Sequence, residues 1–450
     1  MMNALGKQLA VAGMLVAGAA QALPEVVCRV EMDRDVVFAG QRQTAVVKVT
    51  LDAPVVPRRE ERPPVNLGIV LDRSGSMAGD KIEKARDAAI AALRRLGAQD
   101  TFSLVTYSDR IETVVPAQSA SNTAWIEQKI RAITTGGNTA LFAGVGQGAS
   151  EVRKNLSRDS VHRLLLLSDG KANSGPSSPE ELGRLGTALR KEGISVSTIG
   201  VGTDYNEDLM TLMAQNSDGN TYFVESSADL PHIFSKELGD VLSVVASRVV
   251  IEVEFPAGIR PIRIIGRDGR VGANTVQVSL NQLYGGQEKY ALIEVELPES
   301  AEGEVRKVAD ARCTYQDMLA NRSNTTSGQA MVRFSKKPEE VEQSVNIAVG
   351  KEVMLNRAVE LQAQAIIQAD NRDYDQAAET MGRNSAVLMD YADRYNVPEL
   401  KEEAETYQRQ AEEIKLKKVL SPTQRKEMKT RNYEIQNQQQ SSLPQKEKKD

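Results

Sequence analysis

The stretch Leu67–Met77, LGIVLDRSGSM, constrains the chain more than any other. An apolar run through Leu67, Ile69, Val70 and Leu71 stops abruptly at Asp72, and Ser74, Gly75 and Ser76 follow before a helical pattern opens at Asp80. This pattern describes a buried strand that delivers oxygen-bearing side chains to a tight loop at its carboxyl end, where open α/β sheets bind ligands. Asp72, Ser74 and Ser76 alternate along the loop, so all three can face one centre. One carboxylate and two hydroxyls form a hard oxygen set, suited to Mg²⁺ or Mn²⁺ rather than to zinc.

Two later stretches complete the set. Thr139, in TTGGNTAL, sits in a glycine-rich loop entering a helix, and Asp169, in RLLLLSDGKAN, ends a second fully apolar strand. A lone D-x-S-x-S is a common turn or capping sequence, because Ser and Asp side chains bond nearby backbone N–H groups. Three fragments in order on a strand–loop–helix alternation say more. Together they resemble the metal-ion-dependent adhesion site of the von Willebrand factor A family, whose signature is D-x-S-x-S, then Thr, then Asp. The resemblance implies a doubly wound, Rossmann-like α/β domain. It implies Ser74, Ser76 and Thr139 as direct ligands of Mg²⁺ (or Mn²⁺ or Ca²⁺), with Asp72 and Asp169 acting largely through water. It also implies a sixth position for an Asp or Glu carboxylate of a protein partner. Thr135 and Asn138 are expected to bond behind the ligands, and Ser168 to cap the turn that follows it.

At 450 residues the chain calls for two or three domains. Strands and helices alternate over residues 63–246, the pattern of a doubly wound sheet. Its first helix carries a capping-box variant, Asp80 with Glu83, and an apolar face of Ile82, Ala85, Ala89, Leu93 and Leu96 before Gly97. Residues 23–62 hold two alternating runs and a Pro-rich linker, and residues 247–336 about five more strands with Gly turns. These two blocks are expected to form one β-sandwich, with the α/β domain inserted into it. Residues 337–420 read as a C-terminal helical region, broken at Asp370-Asn371-Arg372 and reopened at Pro398. Residues 421–450, rich in Gln, Lys and Glu, are expected to be a disordered tail.

The N-terminus reads as a secretion signal over residues 1–22: Lys7, an Ala-rich apolar run and the A-x-A site Ala20-Gln21-Ala22. A secreted or periplasmic location follows as the expectation. The apolar run is too short to span a bilayer. In an oxidising compartment Cys28 and Cys313 form an even pair and a candidate disulfide; two separately buried thiols are the alternative. Lys and Arg (56) nearly balance Asp and Glu (61), which argues against a nucleic-acid surface. The expected function is divalent-cation-dependent protein binding or adhesion, not catalysis. The competing classes are a metal-dependent hydrolase or phosphoryl-transfer enzyme, and a purely structural ion. With only His162 and His232, neither at a strand-end loop, a histidine base for a serine nucleophile is missing.

Overall fold

The computed structural model describes residues 25–55 and 62–439; the segment expected to be a signal lies outside them, as do residues 440–450. Three strands come first: β1 (Val27–Met32), β2 (Val36–Phe38) and β3 (Gln43–Asp52). The α/β domain follows with β4 (Val65–Asp72), α1 (Asp80–Leu93), β5 (Thr101–Tyr107), β6 (Ile111–Ser119), α2 (Thr123–Arg131) and α3 (Leu141–Arg153). It continues through β7 (Val161–Ser168), α4 (Pro179–Lys191), β8 (Ile194–Val201), α5 (Glu207–Ser217), β9 (Thr221–Val224) and α6 (Leu230–Val241).

The six strands of this domain run in the order β6-β5-β4-β7-β8-β9, all parallel except β6. β4 and β7 are buried from end to end and lie side by side in the middle. Neither has a polar face to offer: Leu67, Ile69 and Leu71 pack with α1 and α6, while Val70, Leu164 and Leu166 pack with α3, α4 and α5. The chain leaves β4 towards β5 and only later adds β7 on the other side. The topological switch point, the usual ligand crevice of such sheets, therefore falls between these two strands.

β6 is an edge strand, and Pro116 is tolerated there for that reason. The capping box expected from Asp80 and Glu83 is not formed. Gly79, at φ +78°, is the N-cap, and Asp80 is already the first helical residue. The two acids instead sit in the first turn, where their charge suits the helix dipole.

The second β region comprises β10 (Val244–Glu254), β11 (Arg260–Ile265), β12 (Arg270–Val271), β13 (Thr275–Tyr284), β14 (Glu288–Leu297), β15 (Val305–Asp317) and β16 (Arg322–Ser335). It forms two sheets, β1-β3-β14-β11 and β12-β13-β10-β15-β16-β2. β3 lies between β1 and β14, so strands from before and after the α/β domain share one ladder and one core. The α/β domain is thus inserted into a β-sandwich. Cys28 on β1 and Cys313 on β15 meet across the core with their Sγ atoms 3.5 Å apart. The expected disulfide is not formed. Both are free, buried thiols, well outside the ~2.05 Å of an S–S bond and packed as small apolar groups.

The α/β domain is bolted to the sandwich by a buried polar cluster rather than by apolar packing alone. Arg163 on β7, fully buried, donates to Ser197 Oγ (2.8 Å) on β8 and to Gln282 Oε1 (2.6 Å) and Tyr284 Oη (2.8 Å) on β13. Its charge is met by Glu237 of α6 at 3.2 Å, which also accepts from Ser197, Tyr222 and Asn220.

Five helices close the described chain: α7 (Pro338–Gln343), α8 (Ile347–Asp370), α9 (Tyr374–Tyr395), α10 (Pro398–Lys417) and α11 (Pro422–Asn437). Among the described residues no helix is long and apolar enough to cross a membrane. α8 seats Val349 and Val353 on Val46, Ile265 and Leu292 of the sandwich. α11 corrects the expectation of a disordered tail from residue 421. Ser421 and Gln424 form a capping box, Pro422 occupies the first turn, and Met428, Tyr433 and Ile435 are buried. Composition alone missed it because the charges of α11 find partners elsewhere. Arg425 and Lys426 (Nζ–Oε2 2.5 Å) both bind Glu207 at the start of α5. Beyond the helix, the Gln439 side-chain amide accepts from the N–H of Thr221 (3.1 Å) and donates to its carbonyl (3.0 Å), covering the edge strand β9.

Burial by itself raises the Glu207 carboxyl, but the bonds from Lys426 and Arg425 outweigh it and hold it below its usual value. A depressed carboxyl stabilises the fold above its unfolded pKa of about 4.3, and that contribution is lost as pH falls through the lower folded value. Glu207→Gln leaves the buried Lys426 without a counter-charge. It is expected to cost roughly 3 kcal/mol, read as a lower denaturation midpoint and faster amide exchange in residues 422–439. Acidification below about pH 4 is expected to speed the same exchange in the wild type and to change little in the variant.

Candidate metal centre

Asp72 ends β4 and Asp169 immediately follows β7, so adjacent parallel strands deliver both carboxylates to the switch point; both are fully buried. A buried carboxylate must be met by donors or by positive charge. Asp72 Oδ1 accepts the backbone N–H of Ser74 (2.9 Å), and Oδ2 accepts the Ser168 hydroxyl (2.8 Å). Burial pushes the Asp72 carboxyl above its usual value; the Ser74 and Ser168 bonds oppose this, and the nearby Asp169 charge adds to it. Asp169 Oδ1 accepts the Ser76 hydroxyl at 2.7 Å, and the Ser74 and Ser76 hydroxyls are 3.1 Å apart. Thr139 comes from the loop before α3. Its Oγ1 and the Ser76 Oγ each lie 3.5 Å from the point where a side chain on Gly170 would begin.

All five residues singled out from the sequence therefore stand around one small volume. The donors are three hydroxyls and two carboxylates, oxygen throughout, and two adjacent buried negative charges favour a cation between them. The set fits a hard divalent ion such as Mg²⁺. Among the described residues no group of three or more His, Cys, Asp or Glu is placed to hold a metal ion, so no competing nitrogen or sulfur cluster stands there. Ser76 and Gly75 are exposed while Ser74, Thr139 and both aspartates are buried, so the centre opens to solvent on the Ser76 side.

The loops are held against one another by backbone bonds. Gly136 N–H donates to Arg73 O (2.7 Å) and Gly75 N–H to Gly137 O (3.2 Å), which locks the D-x-S-x-S loop to the Thr139 loop. Gly137 is required on two counts. Its φ is +87°, and a Cβ there would lie 2.0 Å from Asp109 Oδ1.

Several contributors are not apparent from the motif. Ser168 caps the next turn as expected, its hydroxyl accepting the Gly170 N–H (3.5 Å), and it also holds Asp72. Asn173 Oδ1 accepts the Thr139 N–H (2.8 Å), and its own N–H returns to the Thr139 carbonyl (3.2 Å). Lys81 Nζ donates to Asp169 Oδ2 at 2.5 Å. Among the described residues neither Thr135 nor Asn138 bonds to any of the five, and Asn138 faces solvent, so the supporting role expected of them falls to Ser168 and Asn173. Only the proximity of Ser168 and Asn173 to Asp169 in the sequence could have pointed to them.

Residues 66–236 match the family model of the von Willebrand factor type A domain. The inserted α/β domain is a member of that family. The chain is similar to two uncharacterised bacterial proteins. YfbK of Escherichia coli is 29% identical over 216 residues, covering 47% of this chain and 38% of that protein. The protein sll0103 of Synechocystis is 26% identical over 279 residues, covering 60% of this chain and 65% of its relative. The matches thus span less than two thirds of either relative. A solved von Willebrand factor type A structure from Catenulispora acidiphila superposes with a TM-score of 0.65 at 18% identity, over 84% of this chain and 89% of that one. The likeness is one of fold, and its extent takes in more than the α/β domain.

Gly137→Ala is expected to destabilise the domain by about 1–3 kcal/mol through strain at positive φ and collision with Asp109. Urea denaturation followed by tryptophan fluorescence checks this through Trp125, the single tryptophan of the chain.

Proposed function

We propose that this protein is a divalent-cation-dependent protein-binding module whose ion completes its coordination with an acidic residue of the partner. The observation that carries this reading is the convergence of Asp72, Ser74, Ser76, Thr139 and Asp169 at the ends of two adjacent central strands, with Ser76 turned to solvent. When bound there, the ion supplies a Lewis-acidic point that takes an oxygen from outside. The chain's own residues prepare that point. Asp72 fixes the D-x-S-x-S loop through the Ser74 N–H, Asp169 orients the Ser76 hydroxyl, and Asn173 fixes the backbone of Thr139. The hydroxyl ligands are neutral and leave a coordination position towards solvent that an approaching carboxylate oxygen can take.

The protein surroundings do not favour hydrolysis. His162 lies near the opposite, amino end of β7, bonded to the Ser157 carbonyl at 2.8 Å, and burial holds its pKa below the usual histidine value. His232 is exposed on α6. His162 therefore cannot serve as a base at the strand ends, and among the described residues His232 has no hydrogen bond to any of the five. The reading includes a secreted or periplasmic location, with the ion taken from the surroundings.

Affinity capture in Mg²⁺ against EDTA, with wild type, Ser76→Ala and Asp169→Ala, tests the proposal. Partner retention by the wild type alone, and only with Mg²⁺, is the expected outcome, with both variants weakened by about tenfold or more while their circular dichroism and melting stay native-like. Retention indifferent to EDTA overturns the reading. Unfolding of both variants on loss of the ion would instead assign the centre a structural role.

A further inference from the structure

Lys81 is the second residue of α1, where the helix dipole is positive and a cation is out of place. Its ammonium reaches across the domain to Asp169 Oδ2 at 2.5 Å, and lies 3.9 Å from the point where a side chain on Gly202, after β8, would begin. The ammonium is thus held where α1, the end of β7 and the loop after β8 meet. It pairs with the fully buried Asp169, while Asp72 has hydrogen bonds but no such partner. One of the two carboxylates of the centre therefore carries a resident counter-charge.

Resting on the metal reading above, the geometry points to Lys81 as the residue that sets the charge of the loaded centre, competing with the divalent ion for Asp169 and making the centre selective for an anionic ligand. The charge count gives the reason. Two carboxylates and a divalent ion sum to zero, and a neutral centre has no net pull on an incoming carboxylate. Lys81 adds one positive charge, which repels the ion and attracts the ligand. Its removal must therefore act with opposite signs on the two affinities, whereas a purely structural role for the ion pair would weaken both. Lys81 is a positioning residue here: it acts through Asp169 and through its field.

The experiment uses the full chain and two probes, Mn²⁺ alone and Mn²⁺ with acetate. Free Mn²⁺ is followed by electron paramagnetic resonance, with chloride at matched ionic strength as the control. In the wild type, acetate is expected to tighten Mn²⁺ binding, because ion and carboxylate occupy one centre and their affinities are linked. Lys81→Met and Lys81→Gln are expected to bind Mn²⁺ alone roughly tenfold more tightly, as removal of a unit charge near the ion implies. The same variants are expected to lose most of the tightening by acetate, and Lys81→Arg is expected to keep both properties of the wild type. The side chain is partly exposed, so folding should persist, and two neutral replacements guard against one misfolding. If the wild type and the neutral variants bind Mn²⁺ equally, or acetate tightens all of them equally, the role of Lys81 is overturned while the metal centre stands. If the wild type binds Mn²⁺ no better than Asp169→Ala, the metal centre itself falls, and this inference with it.

Discussion

Two carboxylates buried side by side are the constraint around which this domain is arranged. β4 and β7 must be adjacent and apolar on both faces to fill the middle of the sheet, and each hands an aspartate to the same spot as it ends. Their mutual repulsion and desolvation call for donors or positive charge close by. The fold relieves them with a backbone N–H, two hydroxyls and one ammonium, from Ser74, Ser168, Ser76 and Lys81. Ser168 is the last residue of β7, and the other donors lie on the loop after β4 or at the start of α1, all at the carboxyl edge of the sheet. The central strands provide rigidity, and the loops above them provide oxygen.

The opposite edge of the same sheet solves a similar problem differently. There Arg163 and Glu237, both fully buried, neutralise each other directly and are completed by Ser197, Gln282, Tyr284, Tyr222 and Asn220. Such a pair adds little net stability over a well-packed apolar alternative, but breaking it is costly, so it specifies one docking of the domain on the sandwich. α11 adds a second attachment along β9 and α5. The inserted domain is therefore clamped at its amino edge and, by α11, along β9 and the start of α5, while Gly75 and Ser76 of the D-x-S-x-S loop are left facing solvent.

What could be read in the sequence divides along the same physical line. The strand cores, the alternation of helix and strand, the sandwich on both sides and the five residues of the centre are all local or ordered patterns. Apolar runs, periodicity and the fixed order D-x-S-x-S, Thr, Asp leave traces in one dimension. Partners supplied from distant segments leave none. Arg163 looks like the polar start of an apolar strand until Gln282 and Tyr284 are beside it. Arg425 and Lys426 look like a solvated charge run until Glu207 is beside them. Cys28 and Cys313 lie on inward faces as their alternation indicates, and they do meet, but proximity between two apolar faces creates good packing for thiols without requiring a bond.

Lys81 belongs to that second group, and its position explains why the motif alone understates the centre. The five matched residues account for the oxygen donors, and five oxygens would hold an ion in many charge states of the surroundings. The net charge offered to a ligand depends on a side chain that reaches in from α1, across a helix end that disfavours it. On the reading proposed above, a centre with the same five donors and no cation at this position binds an ion more tightly and an acidic ligand less well. On that reading the motif specifies where an ion can sit, and the charge beside Asp169 decides what that ion can hold.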